Sequence, residues 1–217
     1  MKILPKLICF LVFSFLACTT TAQSSISLST GISTDINNSN ISFYQVPVSL
    51  LWKPGGEEFS PLLLLGYNFP LQGASSGEAY TLNPALPAKV RLIEKISPYL
   101  FTTAIGFAVR LSKSKNNNSL YINLLPFGIC NQNIKVTYKN YDKENYEVLN
   151  PDVNRNEAAF VMAASVAYYF HKTKKDLMVM LQAQSGMIKN KDPYLLSYNS
   201  IAPLQLTIGY NFYYNKK

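Results

Sequence analysis

The residues best suited to chemistry in this sequence are few and far apart. It has one histidine, His171, in a predicted turn followed by lysines, and the periodicity places no carboxylate beside it to orient a general base. Cys9 and Cys18 lie in an N-terminal apolar segment, and Cys130 is interpreted as a small strand residue rather than a nucleophile. One histidine and one remaining cysteine cannot build the usual zinc site, and no glycine-rich phosphate loop is present. We therefore expect neither an enzyme nor a cofactor or metal.

Two charged features remain as candidate sites. The acidic cluster Asp142, Glu144, Glu147 and Asp152 alternates with lysine and arginine, which favours a solvated mixed-charge loop over a cation site. Arg110 is the only charge in the predicted strand of residues 99–111, on a face of small residues. In a closed barrel this face points inward, where Arg110 either sets the polarity of the interior or lies at its mouth. Both placements stay open at this stage.

The N-terminus has the order of a secretory signal peptide. Two lysines fall within the first six residues, an apolar stretch covers residues 7–18, and small residues run up to Ala22. The stretch is too short to span a bilayer. We expect cleavage after Ala22 and one β-barrel domain over residues 23–217. The alternative is a lipoprotein, with Cys18 carrying the lipid.

The net positive charge does not by itself indicate a nucleic acid or another polyanion as a partner. The chain carries a formal charge of +8, but only 15% of its residues are charged, and the lysines are spread over predicted turns such as residues 172–175. Turns beside lipid headgroups explain this pattern better than a polyanion-binding surface does. No nucleic-acid partner is expected. Loss of Cys9 and Cys18 with the signal leaves Cys130 without a disulfide partner.

Alternation with period two predicts strands through most of the chain. Bulky side chains occupy the even positions of residues 204–214 and 158–170 and the odd positions of residues 99–111, while small or polar ones occupy the opposite face. A helix would scatter both sets. Weaker alternation brings the total to eight strands, with the further segments 26–32, 44–52, 62–69, about 120–138 and 177–187.

Prolines and one ambiguous segment leave details open. Pro47 and Pro126 lie inside predicted strands, where each removes a ladder donor, so we expect a bulge or break near them. Residues 88–97 either extend the next strand or add a hairpin, so ten strands remain an alternative to eight. Short charged turns at residues 53–58, 113–118 and 171–176 alternate with longer junctions, which is the asymmetry of outer-membrane barrels.

Lipid, rather than water, is the expected surroundings of the bulky faces. The best strands are nearly uncharged on both faces, as expected where a lipid-facing charge costs about 2–4 kcal/mol at mid-bilayer. Aromatic residues cluster near both ends of the predicted strands, which is typical of interfacial girdles. The girdle residues are Tyr44, Trp52, Tyr67, Phe69, Tyr99, Tyr168 and Phe170.

In this pattern the chain resembles the small outer-membrane β-barrel proteins, the OmpX-like and porin-family barrels. The resemblance rests on the segment ending Ala22-Gln23, the eight strands, and a last strand with Tyr210, Phe212 and Tyr214. It implies an all-β, transmembrane, antiparallel up-and-down barrel in the outer membrane, with outer-membrane lipid as its surroundings. It also implies that the barrel-assembly machinery recognises those three aromatics. We expect no charge network in the interior.

The expected role is structural or surface-interacting and non-enzymatic. The longer loops at residues 71–98 and 139–157 would offer a contact surface to an extracellular ligand or envelope protein. One alternative is a soluble or lipid-anchored periplasmic barrel that holds an apolar ligand, which requires the bulky faces to point inward. Another is a narrow pore, if ten or more strands close.

Overall fold

The computed structural model describes residues 24–35, 44–54, 58–71, 73–148, 153–171, 175–187, 200–201 and 203–214. No helix in these ranges is both long and apolar enough to cross a membrane. The predicted signal peptide, residues 1–22, and Cys18 lie outside them. The described residues form these strands: β1 (Ser24–Asp35), β2 (Tyr44–Pro54), β3 (Phe59–Leu71), β4 (Gly73–Thr81), β5 (Lys89–Lys113), β6 (Ser119–Lys139), β7 (Tyr146–Glu147), β8 (Val153–Phe170), β9 (Lys175–Met187), β10 (Ser200–Ile201) and β11 (Pro203–Tyr214).

Eight of these strands close an antiparallel barrel. The hydrogen-bonded order is β1, β2, β3, β5, β6, β8, β9 and β11, and β11 pairs with β1 to complete the cylinder. Each strand pairs with its predecessor among the eight, so the predicted up-and-down barrel is confirmed. We call the end where Ser24 pairs with Tyr214 the terminal rim, and the opposite end the loop rim.

Bulky side chains point away from the barrel axis. Along β1, for example, Ser27 and Ser29 are buried inside while Leu28 is exposed outside. On β8 the outward Phe160 is 85% exposed, whereas its neighbour Val161 is buried. The alternative of a barrel that encloses an apolar ligand requires the opposite arrangement, and this structure does not have it.

Apolar side chains fill the middle of the barrel. Leu51, Leu62, Leu64, Leu125 and Met180 project inward from four strands and are at most 1% exposed. An eight-stranded barrel has an interior that side chains can just fill. The described part of the interior is therefore packed at this level.

Toward the loop rim the packing becomes polar. The Asn68 amide donates to Gln45 Oε1 at 2.9 Å, and the Gln205 amide donates to Asn68 Oδ1 at 3.5 Å. Nearer the middle, Thr102 Oγ1 lies 3.4 Å from Gln184 Oε1. These amides and hydroxyls hydrogen-bond one another, as buried polar groups must.

The two strand prolines behave differently. At Pro126 the register with β8 shifts between Leu125 and Gly128, so the predicted bulge is confirmed there. The opposite ladder shifts at Gly106, where an added Cβ would come within 1.9 Å of the Leu124 carbonyl oxygen. Pro47 keeps its place opposite Asn68 in the β3 ladder. Its pairing with β1 is interrupted but resumes in the same register.

Beyond the loop rim the sheet continues as a projection. The β5 strand has 25 residues, about 80 Å at a rise of about 3.3 Å per residue, although about 9–11 residues span a bilayer. Its first part, residues 89–96, pairs with β4. Residues 88–97 thus both extend a strand and belong to an added hairpin, but the barrel count stays at eight. We call β4, β7, and residues 89–98, 131–139 and 153–157 the projecting sheet.

Candidate functional sites at the two rims

A lysine is enclosed by tyrosine rings inside the terminal rim. Lys53, buried near the end of β2, places its Nζ 4.3 Å from the ring centre of Tyr121 and 4.1 Å from that of Tyr169. The two rings meet edge to face with centroids 5.3 Å apart. Each ring presents its electron-rich face to the Lys53 Nζ, which is the geometry of a cation–π contact.

A carboxylate lies at the same end of the interior. Asp176 is 2% exposed, and its carboxylate accepts a hydrogen bond from the Tyr213 hydroxyl and lies 2.9 Å from His171 Nδ1. The His171 backbone N–H donates to Asn118 Oδ1 at 2.9 Å. His171 therefore does have a carboxylate partner, contrary to the expectation from periodicity. The antiparallel pairing of β8 with β9, which ends at Phe170↔Leu177, brings the two residues next to each other.

Arg110 combines the two placements that the sequence left open. It lies on the inward face of β5, close to the terminal rim, with its side chain 14% exposed. Its Nη2 lies 3.3 Å from Glu58 Oε1, whose side chain is 86% exposed. With Lys53 and Asp176, Arg110 shows that the expectation of an interior without a charge network was wrong.

The charged and aromatic side chains at the terminal rim, which we call the terminal-rim cluster, block the opening of the barrel. Side chains from six strands meet across the opening, next to the apolar layer: Lys53 (β2), Arg110 (β5), Tyr121 (β6), Tyr169 (β8), Asp176 (β9) and Tyr213 (β11). Among the described residues, the hydrogen bonds of His171 go to Asn118 and Asp176, neither of which has a hydroxyl or thiol that the imidazole could activate. Cys130 lies away from this cluster, buried with Leu100 and Val161.

The acidic residues at the loop rim hold a turn together. Asp142 accepts hydrogen bonds from the Asn145 amide at 2.7 Å and from the Glu144 backbone N–H at 3.0 Å. The Asn145 hydrogen bond lowers the pKa of Asp142 below its usual value. No metal-binding group of acidic, histidine or cysteine side chains occurs within the described residues, and Asp152 lies outside them.

Aromatic residues face outward near both rims. Tyr67 and Phe69 touch edge to face near the loop rim, with ring centroids 4.6 Å apart, and Tyr168 and Phe170 do so near the terminal rim at 4.7 Å. The other predicted girdle residues on outward positions are Tyr44 and Tyr99 near the loop rim and Trp52 near the terminal rim.

The last strand ends with two outward aromatics at the terminal rim. Tyr210 and Phe212 lie 6.5 Å apart between ring centroids, and Lys175 Nζ lies 4.4 Å from the centre of the Tyr210 ring. Tyr214 pairs with Ser24 at the end of the strand; its side chain is outside the described part.

The projecting sheet has one apolar and one polar face. Ala79, Leu92 and Tyr146 are buried together on the face that continues the barrel interior. On the other face Lys89 Nζ lies 2.8 Å from Glu78 Oε2, and this ion pair lowers the pKa of Glu78. The sheet is therefore a folded element with its own small core, and not a set of separate loops.

Similar folds occur among solved structures. Ail, the attachment invasion locus protein of Yersinia pestis, solved in complex with the heparin analogue sucrose octasulfate, is 8% identical, with 89% of this chain and 97% of that chain covered and a TM-score of 0.44. The N-terminal β-barrel domain of Pseudomonas aeruginosa OprF is 11% identical, with 89% and 100% covered and a TM-score of 0.42. Neisserial surface protein A is 8% identical, with 88% and 95% covered and a TM-score of 0.41.

These are small outer-membrane barrels. They are of the kind that the strand pattern resembles. No protein-family description matches the chain, and no curated protein matches it in sequence.

Proposed function

We propose that this chain is an integral outer-membrane barrel with a structural and surface-interaction role, and that it is neither an enzyme nor an open pore. The observation that carries the proposal is the outward face of the eight strands. Among the described residues, 27 large apolar side chains are exposed, far beyond the patches that water-soluble monomers tolerate. Between the rims the outward positions of these strands carry no charged side chain. Hydrocarbon is the solvent that suits such a surface.

The closed sheet supports the same conclusion. A sheet in a bilayer must satisfy every backbone polar group internally, and a cylinder without edges does so. Here the β1–β11 ladder runs over twelve residue pairs, from Ser24↔Tyr214 to Asp35↔Pro203. The barrel-assembly machinery would recognise the outward side chains of Tyr210 and Phe212 near the end of this last strand.

The packed interior argues against conduction. A solute entering from the loop rim meets the apolar layer around Leu51, Leu62 and Leu125, and then the Lys53–Tyr121–Tyr169 contacts. Opening a path requires these groups to separate. We propose that the active surface is instead the projecting sheet, which lies on the extracellular side if the short turns face the periplasm.

Cell fractionation combined with heat modifiability tests the location. We expect the protein in the outer-membrane fraction and, after detergent extraction, a band that changes its migration on heating because the closed barrel resists unfolding. Recovery in the soluble periplasmic fraction without a heat-dependent shift would refute the proposal. Planar-bilayer recording of the same preparation tests the closed interior, and stable conductance steps would replace it with the pore alternative.

A further inference from the structure

We propose that the outward face of the projecting sheet binds the phosphate groups of outer-leaflet lipid headgroups. The inference rests on the proposed membrane location and deepens it. Five cations lie on this one face: Lys89, Arg91, Lys95, Lys135 and Lys139.

The strand period assigns these cations to the lipid side. The β5–β6 ladder keeps one register from Ile93↔Lys139 down to Ile105↔Phe127. The odd positions of β5 that face lipid at Tyr99 and Phe101 therefore continue as Lys95, Arg91 and Lys89 on the same side. The exposed Lys135 and Lys139 share this side on β6, since Lys135 pairs with Ser97.

Three of the lysines form a group of the size of a phosphate site. Lys95 pairs with Thr137, and Lys135 and Lys139 are two residues to either side of Thr137. Lys95 is thus the diagonal neighbour of both, at about 7–8 Å between backbones, which long side chains bridge. Three ammonium groups around one point can each donate a charge-assisted hydrogen bond to the oxygens of a single phosphate.

The neighbouring strands contribute little negative charge to this face. Next to Lys135 on β8 stands Asn154, and Asn133 donates hydrogen bonds to Asn154 and Asn156. The acidic residues of this face are Glu78 on β4, which Lys89 binds at 2.8 Å, and the exposed Glu147 on β7, opposite Tyr80. The face is basic and amide-rich, a complement to phosphorylated and hydroxylated headgroups.

The lower end of the group lies at the height of the headgroup layer. Ser97, the partner of Lys135, is two residues beyond the girdle residue Tyr99, Lys95 is four residues beyond it, and Ile93, the partner of Lys139, is six. At about 3.3 Å per residue and a strand tilt of about 45°, these positions lie about 5, 9 and 14 Å above the girdle. The polar layer on each side of a bilayer is about 5–8 Å thick. Lys135 therefore lies within this layer, and the long side chains of Lys95 and Lys139 approach it from above.

Titration of a phosphorylated glycolipid tests the inference. The full chain, extracted from the outer membrane into zwitterionic detergent, is titrated with bisphosphorylated lipid A and with dephosphorylated lipid A. We expect the phosphorylated form to bind more tightly. The variant Lys95→Gln/Lys135→Gln/Lys139→Gln should lose about 100-fold in affinity, at about fivefold for each cation near an anionic surface.

A matched variant and a second ligand make the outcomes distinct. Lys113→Gln/Lys115→Gln/Lys175→Gln removes the same charge at the terminal rim and should bind as the unmodified protein does. Equal binding of both lipids, or a loop-rim variant that binds normally, would overturn the inference. Lysine-dependent binding of soluble heparin without binding of lipid A would also overturn it, in favour of a soluble sulfated partner. Heat-shifted migration of each variant shows that the barrel has folded, and its absence in the unmodified protein would refute the membrane location instead.

Discussion

An arginine substitution at mid-height on the outward face tests whether this face contacts lipid hydrocarbon. Ile208 is the central residue of the outward series of β11, pairs with Thr30 and Val179, and is 55% exposed. In lipid, Ile208→Arg should cost about 2–4 kcal/mol at mid-bilayer. At 1.4 kcal/mol per factor of ten, this lowers the folding equilibrium constant about 30- to 1000-fold.

Leu111 provides a control with the same exposure. It is also 55% exposed but lies two residues from the end of β5, beyond the last β3 partner, Phe59↔Val109. Leu111→Arg should cost only about 0–1 kcal/mol, because the penalty vanishes near the interface.

Urea titration of the barrel in vesicles compares the two variants. With an m value of about 1–3 kcal/mol per M, Ile208→Arg should lower the unfolding midpoint by about 0.7–4 M and Leu111→Arg by much less. In water, both surface substitutions would stay within about 0.5 kcal/mol. Equal, small effects at the two positions would therefore refute the lipid-facing assignment.

Three further predictions address the bulge, the interior and the projecting sheet. Gly106→Ala should abolish the heat-shifted band, because its Cβ would lie 1.9 Å from the Leu124 carbonyl oxygen, whereas Gly66→Ala should keep it, since the nearest atom is 3.8 Å away. Lys53→Met should cost about 1–2 kcal/mol in urea titrations through lost cation–π contacts, and the exposed Lys115→Met about 0.5 kcal/mol or less. The ion pair with Lys89 lowers the pKa of Glu78, so any contribution of the pair is present at neutral pH and is lost on acidification through that lowered pKa. In an NMR titration, Lys89→Met should move the midpoint of Glu78 up toward its usual value, and an unchanged midpoint would contradict the pairing.

The barrel itself could be predicted from sequence because one physical rule governs all eight strands. Side chains alternate between lipid and the barrel interior, so the size of a side chain such as Ile208 or Phe160 indicates that it lies on the outward face. The bulge at Pro126 followed from the lost backbone donor. The outcome at Pro47 did not, since whether the neighbouring strand shifts its register depends on both ladders.

The charged interior could not be predicted because its contacts join distant parts of the chain. The sequence predicts a turn at Lys53, because Pro54 and Gly55 follow it. In the structure, its Nζ contacts the rings of Tyr121 and Tyr169 inside the barrel. The sequence likewise predicts Asp176 at the end of a charged turn. In the structure, the pairing of β9 with β11 places the Tyr213 hydroxyl where it donates a hydrogen bond to Asp176. Periodicity tells which way a side chain points, but only the radius and stagger of the closed barrel determine what it meets.

The outward face also marks its own boundaries. Its apolar series spans nine residues from Leu204 to Phe212, ten from Leu120 to Ile129 and eleven from Phe160 to Phe170, and about 9–11 residues are what a tilted strand needs to cross a bilayer. Among the residues that the structure describes, outward cations on these strands occur past these limits, at Lys175 on one side and Lys135 on the other. Lysine thus occurs inside the barrel at the terminal rim, as Lys53, and on the outward face beyond the loop rim, as Lys135. Because a lipid-facing lysine is excluded between the rims, the first outward lysines mark where the hydrocarbon ends and anionic headgroups become available to bind them.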